Sequence, residues 1–424
     1  MSLGRDAHVV HIGFDHKFDR LFASDGPRIS LLLDEESAAA LPPKVQARCA
    51  YVGALKMPGD DDLGNYDAAF DQMTALVSEI SEWLGAPTAV VGLTEESLLP
   101  AARLCERLGI PGTPVPTVSL LRDKVRMKEA VRAAGVRVPR FWPVGPETTT
   151  EEAGRIASSL PNGIVLKPRC QAAAMGVSVF PDAASFLAYV RGTGLAADHE
   201  VEEFVHGDLC HIDGLVRDGR VLFTSMATYL ARPHDVVTRG GLPMGSVTVD
   251  DPVAVAAAGR MADAVLEAVG LRDGVFHLEA FLSVSGELTF LEVAGRVGGS
   301  GIGEHIRDLY GIDLAEELLR ACLGRPPRYD GPRTVLESGV AASGWLHVPA
   351  PASGDHRVTR VRGLEHLPAS VYRSEPARAG DVFTGAAELY RHAGAFAVTG
   401  PSSAAVAEDI SRIWSSYEVE YLAL

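Results

Sequence analysis

The segment VFHLEAFLSVSGELTFLEVA, residues 275–294, decides how the middle of this chain folds. Polarity alternates over residues 275–282 and again over residues 288–294, and residues 283–287, which include two serines and one glycine, separate the two stretches. Alternation with a period of two is typical of a β-strand with one buried face, and two such stretches joined by a short turn indicate a β-hairpin. On its core face, the predicted register pairs Leu278, Ala280 and Leu282 with Val293, Leu291 and Thr289, respectively.

The register of this hairpin predicts a cation site. If Ser285 and Gly286 are the two central turn residues, Glu279 lies directly opposite Glu292, with the two Cβ atoms about 5 Å apart. Facing carboxylates repel each other unless a cation lies between them. A divalent metal resolves the repulsion, and Mg²⁺ takes one or two protein carboxylates and completes its coordination with water and substrate phosphate. The alternative is a solvated pair of acids on the protein surface.

The composition is that of a globular protein with two or three domains. The chain has 424 residues, of which 47% are hydrophobic and 22% are charged. Its net charge of -16 argues against a nucleic-acid partner, because phosphate backbones need a cationic surface. The cysteines lack CxxC spacing, and the sequence shows neither a signal peptide nor an apolar run long enough for a membrane helix. These features predict a soluble cytoplasmic protein with reduced thiols and no membrane partner.

Lysine is rare, and three lysines lie in one region. Only six of the 39 basic residues are lysines, as expected from a coding bias that replaces lysine wherever arginine will serve. The lysines that survive are candidates for sites that require a compact ammonium group. Lys124 and Lys128 share one face of a predicted helix capped by Thr117, and Lys167 is near the end of a predicted strand over residues 164–168. Lys128 is predicted to be a surface residue of that helix.

The chain divides into three predicted parts. Residues 1–115 alternate strand-like and helix-like stretches in a doubly wound α/β pattern, and the proline-rich residues 111–116 form a stiff linker. Residues 116–331 mix small helices with antiparallel strands, which is typical of an α+β module. Residues 332–424 form a smaller appended domain of strands and a closing helix.

In this order, four motifs resemble those of the ATP-grasp superfamily: the helix around Lys124, the strand end Leu166-Lys167-Pro168, the stretch Glu202-Glu203-Phe204-Val205, and Glu279 with Glu292-Val293-Ala294-Gly295-Arg296. The similarity covers most of the chain and is closest to the carboxylate-amine ligases, the group that includes the L-amino acid ligases. Residues 339–346 and 380–382 also resemble the C-terminal domain of that group. The resemblance implies an α/β and α+β architecture, in which an ATP-grasp fold follows a Rossmann-like pre-ATP-grasp domain and precedes a small C-terminal α+β domain.

The resemblance also assigns site residues. Those implied to bind ATP are Lys124, Lys167, Gly176, Glu202, Glu203, Phe204, Val205 and Asp208. Among them, Glu202 matches a hinge residue near the adenine amino group, and Phe204 and Val205 would offer backbone groups to the base. Glu279 and Glu292 match the acids that bind Mg²⁺ or Mn²⁺, and Arg296 matches a catalytic arginine near the acceptor carboxylate. A guanidinium group can hold a carboxylate or acyl phosphate with two hydrogen bonds and stabilise the oxyanion of a tetrahedral intermediate. His277 shares the acid face of the hairpin and is predicted to be structural.

Three positions depart from the family pattern. Leu209 occupies the place of a ribose-binding glutamate, and the adjacent Asp208 is the candidate to replace it. Ala294 stands where the family has a third metal ligand. The loop over residues 172–176, which would cover the phosphates, contains fewer glycines and serines than is typical, so its closure is expected to be stiffer.

The resemblance implies an ATP-dependent carboxylate-amine ligase that forms an amide or peptide bond through an acyl phosphate and releases ADP and phosphate. Its partners would be small-molecule carboxylate and amine substrates, and the chain would form a homodimer, as relatives often do. One alternative is a biotin-carboxylase-like enzyme, although no QVEH-like stretch follows Arg296. The other is a nucleotide-binding protein with weak or no turnover, which Leu209 and Ala294 motivate.

Overall fold

The computed structural model describes residues 6–22, 26–57, 66–334, 336–337, 342–384 and 391–424. Residues 339–341, part of the C-terminal motif singled out in the sequence, lie outside the described residues. Within this described part of the chain, no helix combines the length and the apolar character needed to cross a membrane.

The N-terminal region is a parallel sheet with helices around it. Its strands are β1 (His8–Ile12), β2 (Arg28–Asp34), β3 (Tyr51–Leu55) and β4 (Ala89–Gly92), in the order β3-β2-β1-β4. Its helices are α1 (Glu35–Ala40), α2 (Pro43–Gln46), α3 (Phe70–Leu84) and α4 (Leu98–Leu108), with short 3-10 helices at His16–Phe22 and Glu95–Ser97. Every residue of β1 and β4 is buried, as expected for a parallel sheet covered on both faces. The predicted doubly wound pattern is confirmed.

The helix predicted around Lys124 is two helices, α5 (Val115–Arg122) and α6 (Lys124–Ala133). The prediction of a Thr117 cap was wrong, because prolines at the start of α5 allow it to begin at Val115. The break between the helices lies at Asp123, whose Oδ1 accepts the N–H groups of Val125 (3.1 Å) and Arg126 (3.3 Å). This cap makes Lys124 the first residue of α6, at the edge of the cavity described below.

A small antiparallel sheet follows. Its strands are β5 (Phe141–Val144), β6 (Ile164–Pro168), β7 (Ser178–Phe180) and β8 (His199–Glu203), in the order β5-β8-β6-β7, and helices α7 (Thr150–Ser158) and α8 (Ala183–Thr193) connect them. Strand β6 coincides with the predicted strand over residues 164–168. This sheet forms one wall of the cavity.

A large antiparallel sheet forms the opposite wall. The strands of residues 208–294 are β9 (Asp208–Arg217), β10 (Arg220–Tyr229), β11 (Met244–Thr248), β12 (Gly274–Leu282) and β13 (Leu288–Ala294), with helices α9 (Pro233–Arg239) and α10 (Pro252–Val269) between them. Helices α11 (Ile302–Tyr310) and α12 (Leu314–Cys322) come next. Helices α6 and α10 pack on the face of this sheet that points away from the cavity, where Ile212, Phe276 and Leu278 are fully buried.

The C-terminal region is continuous with the large sheet. Its elements are β14 (Ala342–Pro349), β15 (His356–Arg362), a 3-10 helix at Leu364–His366, β16 (Val371–Pro376), β17 (Val382–Phe383), β18 (His392–Gly400), α13 (Ser403–Ser416) and β19 (Glu418–Ala423). Strands β14, β18 and β16 extend the large sheet to eight strands, in the order β13-β12-β9-β10-β11-β14-β18-β16, and β17, β15 and β19 form a separate sheet. The domain boundaries stay a prediction, but three strands of the C-terminal region share a sheet with the middle of the chain.

The hairpin of β12 and β13 has the predicted pairing of Glu279 with Glu292, but a different turn. The backbone hydrogen bond from Ser283 N to Glu287 O (2.9 Å) closes a three-residue loop, and not the predicted two-residue turn. A β-bulge restores the register, because Ala280 pairs with Phe290 and leaves Leu291 as the extra residue. The predicted pairs of Ala280 with Leu291 and of Leu282 with Thr289 were therefore wrong.

Candidate active site

A cavity of about 890 Å³ lies between the two antiparallel sheets and reaches the N-terminal region. The predicted residues that line it are Lys124, Lys167, Glu202, Glu203, Phe204, Val205, Glu279, Glu292 and Arg296. These side chains come from the two sheets, from α6 and from the segment after β13. The structure thus brings nine of the predicted site residues to one cavity.

The two acids of the hairpin are held by different partners. The Tyr229 hydroxyl donates to Glu279 Oε1 (2.7 Å), and Lys124 Nζ lies 3.3 Å from Glu292 Oε2. Burial would raise the pKa of Glu279, but hydrogen bonds from His277 and Tyr229 lower it below its ordinary value. Burial, with the Glu279 charge, raises the pKa of Tyr229, which keeps its hydroxyl a donor. Glu279 is thus ionised and oriented, and Glu292 has a cation beside it.

A buried triad stands behind Glu279. Asp213 accepts hydrogen bonds from Nδ1 of His211 (2.6 Å) and Nδ1 of His277 (2.8 Å), and His277 Nε2 lies 3.5 Å from Glu279 Oε1. Burial would lower the pKa of His277, but Asp213 and Glu279 raise it to about 9. His277, predicted to be structural, is therefore a positively charged neighbour of a cavity-lining acid.

The triad is a hydrogen-bonded unit, although His211, Asp213 and His277 are the types of residue that bind metals. Two ligands of one tetrahedral zinc ion, each about 2.0 Å from it, lie about 3.3 Å apart. The observed nitrogen to oxygen distances of 2.6 and 2.8 Å are shorter and match charge-assisted hydrogen bonds. The triad in this arrangement therefore orients Glu279 and does not enclose an ion.

Lys128 is buried, so its assignment to the surface was wrong. Its side chain is 0% exposed, and Nζ donates to Glu200 Oε1 (2.7 Å) and Glu202 Oε2 (2.6 Å). Lys167 Nζ donates to the other oxygen of Glu202 (2.5 Å). Lys128 lies on the buried side of α6 with Val131, and its Nζ lies over the Phe141 ring of β5 (4.8 Å). Both Glu202 oxygens thus bind lysines, and the role predicted for Glu202 at adenine stays a prediction.

Arg296 is held by an acid of the N-terminal region. Its Nε donates to Glu95 Oε2 (2.6 Å) and its Nη1 donates to the Val297 carbonyl (3.0 Å), while Arg122 Nη1 donates to Glu95 Oε1 (2.9 Å). Burial would raise the pKa of Glu95, but the two guanidinium groups lower it to about 2. Glu95 therefore fixes the plane of the Arg296 guanidinium group at the cavity wall.

The predicted adenine hinge lies where β8 ends. The Phe204 N–H donates to the Gly163 carbonyl (3.0 Å), so this amide already has a partner within the protein. The remaining backbone groups predicted to contact a base are the Phe204 carbonyl and the N–H and carbonyl of Val205. The Arg232 guanidinium group lies over the Phe204 ring (4.9 Å) and the Phe281 ring (5.4 Å). The Arg232 guanidinium group therefore lies over two aromatic rings of the cavity wall.

Two predicted residues lie away from the cavity wall. Asp208 is exposed at the start of β9, whereas Leu209 lines the cavity, because successive side chains of a strand point to opposite faces. Gly176 is exposed, with φ +70°, and an added Cβ would lie 2.8 Å from Pro168 Cγ, so glycine is required for the turn itself. The cavity side of the loop comes from residues 171–175, where Ala173 and Ala174 adopt left-handed φ values of 55° and 59°.

Four residues that hold the site were not predicted: Glu95, Glu200, Asp213 and Tyr229. One signal could have indicated Glu95, because Thr94, Glu95 and Glu96 directly follow a strand of the parallel sheet, and ligands bind at the carboxyl ends of such strands. The other three act through side chains that are distant in sequence: Glu200 through Lys128, Asp213 through His277, and Tyr229 through Glu279.

Comparison with solved structures identifies the architecture. The whole chain superimposes on the crystal structure of an L-amino acid ligase from Bacillus licheniformis, with a TM-score of 0.72 and 18% identity, covering 99% of this chain and 100% of that one. The chain has the ATP-grasp fold. A second ATP-grasp structure, the biotin carboxylase domain of Hydrogenobacter thermophilus 2-oxoglutarate carboxylase with MgADP and bicarbonate, has a TM-score of 0.68 at 16% identity and covers 97% of this chain and 90% of that one.

The sequence is also similar to curated ligases. It is 28% identical over 264 residues to the L-arginine-specific L-amino acid ligase of Bacillus subtilis, covering 60% of this chain and 62% of that protein. The chain spans about three fifths of the length of the curated relatives it matches. No protein-family model matches the sequence. The predicted resemblance to the L-amino acid ligase-like members of the ATP-grasp fold is confirmed.

The donor set suits a divalent cation bound together with phosphate. Glu279 and Glu292 are paired across the hairpin and both line the cavity, and Lys124 already places one positive charge 3.3 Å from Glu292. Carboxylate oxygens are the ligands that Mg²⁺ and Mn²⁺ prefer. Ala294 adds no third ligand, so the remaining coordination would come from water and phosphate.

Proposed function

We propose that this chain is an ATP-dependent carboxylate-amine ligase that forms an amide or peptide bond and releases ADP and phosphate. One observation carries the proposal: two lysines, two paired acids and one arginine, which lie far apart in sequence, line a single cavity. The similarity to bacterial amino acid ligases supports it. The cavity volume suits a nucleotide with small substrates, because ligand pockets are usually about 300–1,000 Å³.

Lys167 and Lys124 would bind the ATP phosphates. Burial would lower the pKa of Lys167, but the Glu202, Glu200 and Glu292 carboxylates raise it, so the ammonium group remains charged. Lys124 lies at the first turn of α6, and its Nζ donates to the Gln171 carbonyl (2.5 Å) in the loop over residues 171–175. Lys124 thereby links the loop that would cover the phosphates to the acid Glu292.

Glu279 and Glu292 would hold Mg²⁺ or Mn²⁺, which when bound neutralises phosphate charge during phosphoryl transfer. The contribution of the chain is to keep both acids ionised and oriented. Tyr229 and His277 do this for Glu279, and Lys124 does it for Glu292.

Arg296 would bind the acceptor carboxylate. The fixed guanidinium plane can place one oxygen of that carboxylate for attack on the terminal phosphate and then stabilise the oxyanion formed when the amine adds to the acyl phosphate. The first attack breaks the bond between the terminal phosphate and ADP, which leaves. Addition of the amine then forms the C–N bond, and collapse of the tetrahedral intermediate breaks the C–O bond to phosphate, while the amine proton passes to solvent or phosphate. Catalysis rests on positioning and charge, so no protein nucleophile is required.

A nucleotide-binding protein with weak turnover is the second candidate. The observation that favours it is the apolar Leu209 in the cavity wall with Asp208 turned outward, since neither offers a carboxylate to a ribose. A biotin-carboxylase-like activity is supported by fold alone.

Nucleotide turnover distinguishes these candidates. ADP and phosphate release are measured with ATP, Mg²⁺ and a matrix of amino acids, with mass spectrometry of the products. Release that depends on one acid and one amine, with the matching amide formed, supports the ligase, and Lys167→Met is expected to abolish it. Nucleotide binding by the wild type without release under any mixture would favour the second candidate, and bicarbonate-dependent release would favour the carboxylase.

We also infer a homodimer that resides in the cytoplasm. All five cysteines are free thiols in the structure, which suits a reducing compartment. Light scattering of the purified protein tests the dimer, and fractionation of the producing cells tests the location.

A further inference from the structure

A neutral network of four buried charges lies beneath the part of the cavity wall that Lys167 forms. Lys128 and Lys167 contribute the positive charges, and Glu200 and Glu202 the negative ones, and each of these side chains is at most 6% exposed. Only Lys167 and Glu202 line the cavity. Lys128 therefore has no direct route to a substrate, and its effect must pass through the carboxylates.

The sheet register places both acids on the side of Lys167. Lys167 pairs directly with Glu200 across β6 and β8, and Glu202 lies two residues further along β8, on the same face. Lys167 Nζ lies 2.5 Å from Glu202 Oε1 and 3.7 Å from Glu200 Oε1. One ammonium group at the cavity wall thus faces two carboxylates.

Lys128 balances this excess of negative charge. Its Nζ lies 2.7 Å from Glu200 and 2.6 Å from Glu202, so it bridges the two acids from the side away from the cavity. Without it, Lys167 and the two acids would carry a net charge of -1 in a poorly solvated place, next to where an anionic triphosphate would bind. Charges in such a place interact strongly because water does not screen them.

We propose that Lys128 is a positioning residue of the nucleotide site: it neutralises one of the two carboxylates beneath Lys167, so that the Lys167 ammonium group remains available to the phosphates of ATP. This proposal rests on one part of the proposed function, the binding of ATP in the cavity, and does not depend on amide formation. It also explains why a lysine is buried, since an uncompensated pair of acids would repel the substrate.

Nucleotide binding to the full-length protein tests this role. Titration calorimetry measures the Kd of ATP and of adenosine, which lacks the phosphates, for the wild type and for Lys128→Met. We expect ATP binding to weaken about tenfold in Lys128→Met, while adenosine binding stays within about twofold of the wild type. Arg103→Met is the control, because Arg103 pairs with Asp67 (3.0 Å) at a partly exposed position of the N-terminal region and neither residue lines the cavity; its ATP affinity is expected to be unchanged.

Restoring the charge balance distinguishes positioning from folding. In the double variant Lys128→Met/Glu200→Gln, the remaining network of Lys167 and Glu202 is neutral, and ATP binding is expected to return to within about threefold of the wild type. Glu200→Gln alone should bind ATP at least as tightly as the wild type. If circular dichroism shows that Lys128→Met alone does not fold, the ATP affinities of these two variants still test the proposal.

Three outcomes would overturn the proposal: Lys128→Met binds ATP as the wild type does, it loses ATP and adenosine affinity equally, or the double variant fails to recover. Failure of the proposed function is distinct from these. A wild type that binds ATP but forms no amide leaves the role of Lys128 intact, whereas a wild type that binds no ATP removes both proposals.

Discussion

Replacement of Glu95 by glutamine should cost substantial stability. Glu95 is 12% exposed and holds Arg296 and Arg122 with hydrogen bonds of 2.6 and 2.9 Å. The two guanidinium groups lower its pKa from 4.5 to about 2 in spite of burial. That difference corresponds to about 3 kcal/mol of stabilisation by the ionised carboxylate. Because the folded-state pKa is depressed, this stabilisation is complete above about pH 4.5 and is lost as the pH falls towards 2.

Urea denaturation followed by circular dichroism measures the effect. At pH 7 we expect Glu95→Gln to lower the free energy of unfolding by about 3 kcal/mol, and the difference from the wild type to shrink as the pH falls below 4.5. Glu96→Gln is the control from the adjacent position. Burial raises the pKa of Glu96, so its charge opposes folding, and the glutamine variant should be as stable as the wild type or more stable at pH 7. The reasoning is refuted if Glu95→Gln lies within about 0.5 kcal/mol of the wild type at pH 7, or if the difference is independent of pH.

Three further outcomes are expected. Tyr229→Phe removes the hydroxyl that donates to Glu279 (2.7 Å) and should weaken Mn²⁺ binding in the presence of ATP about tenfold, measured by electron paramagnetic resonance; unchanged affinity would show that the hydroxyl does not orient the acid. Asp123→Ala removes the cap of α6 and should lower the free energy of unfolding by about 1–2 kcal/mol in urea denaturation, whereas the Asn variant should lose less. Ala174→Gly relieves a left-handed residue with φ +59° and should raise Tm, whereas Gly176→Ala at φ +70° should lower it; the opposite order would contradict the loop geometry.

The register of the hairpin of β12 and β13 could be predicted only in part. The Glu279 and Glu292 pair is correct, but the sequence suggested a two-residue turn, and the structure has a three-residue loop and a bulge at Leu291. The longer loop and the bulge each shift the register by one residue, and the two shifts cancel at the acids. A bulge is set by packing across the sheet, so alternation of polarity along one strand does not reveal it.

The partners of the site residues were harder to predict than the residues themselves. The order of the motifs was enough to identify Lys124 and Lys167 as site residues. The burial of Lys128, by contrast, depends on Glu200 and Glu202, which lie more than seventy positions away on strand β8. A lysine is usually exposed unless it is paired, and spacing along α6 gives no sign of such a partner. The four unpredicted residues share this property, because each acts through a neighbour that is remote in sequence.

The strand order of the eight-stranded sheet also determines when the sheet can be completed while the chain is being synthesised. Strand β11 (Met244–Thr248) lies between β10 and β14 (Ala342–Pro349), and roughly a hundred residues separate β11 from the strand that covers its free edge. At ribosomal rates of about 5–20 residues per second, that edge stays open on the nascent chain for about 5–20 s. An unpaired strand edge is a template for association with other chains, so protection by a chaperone during this interval would determine the yield of folded protein.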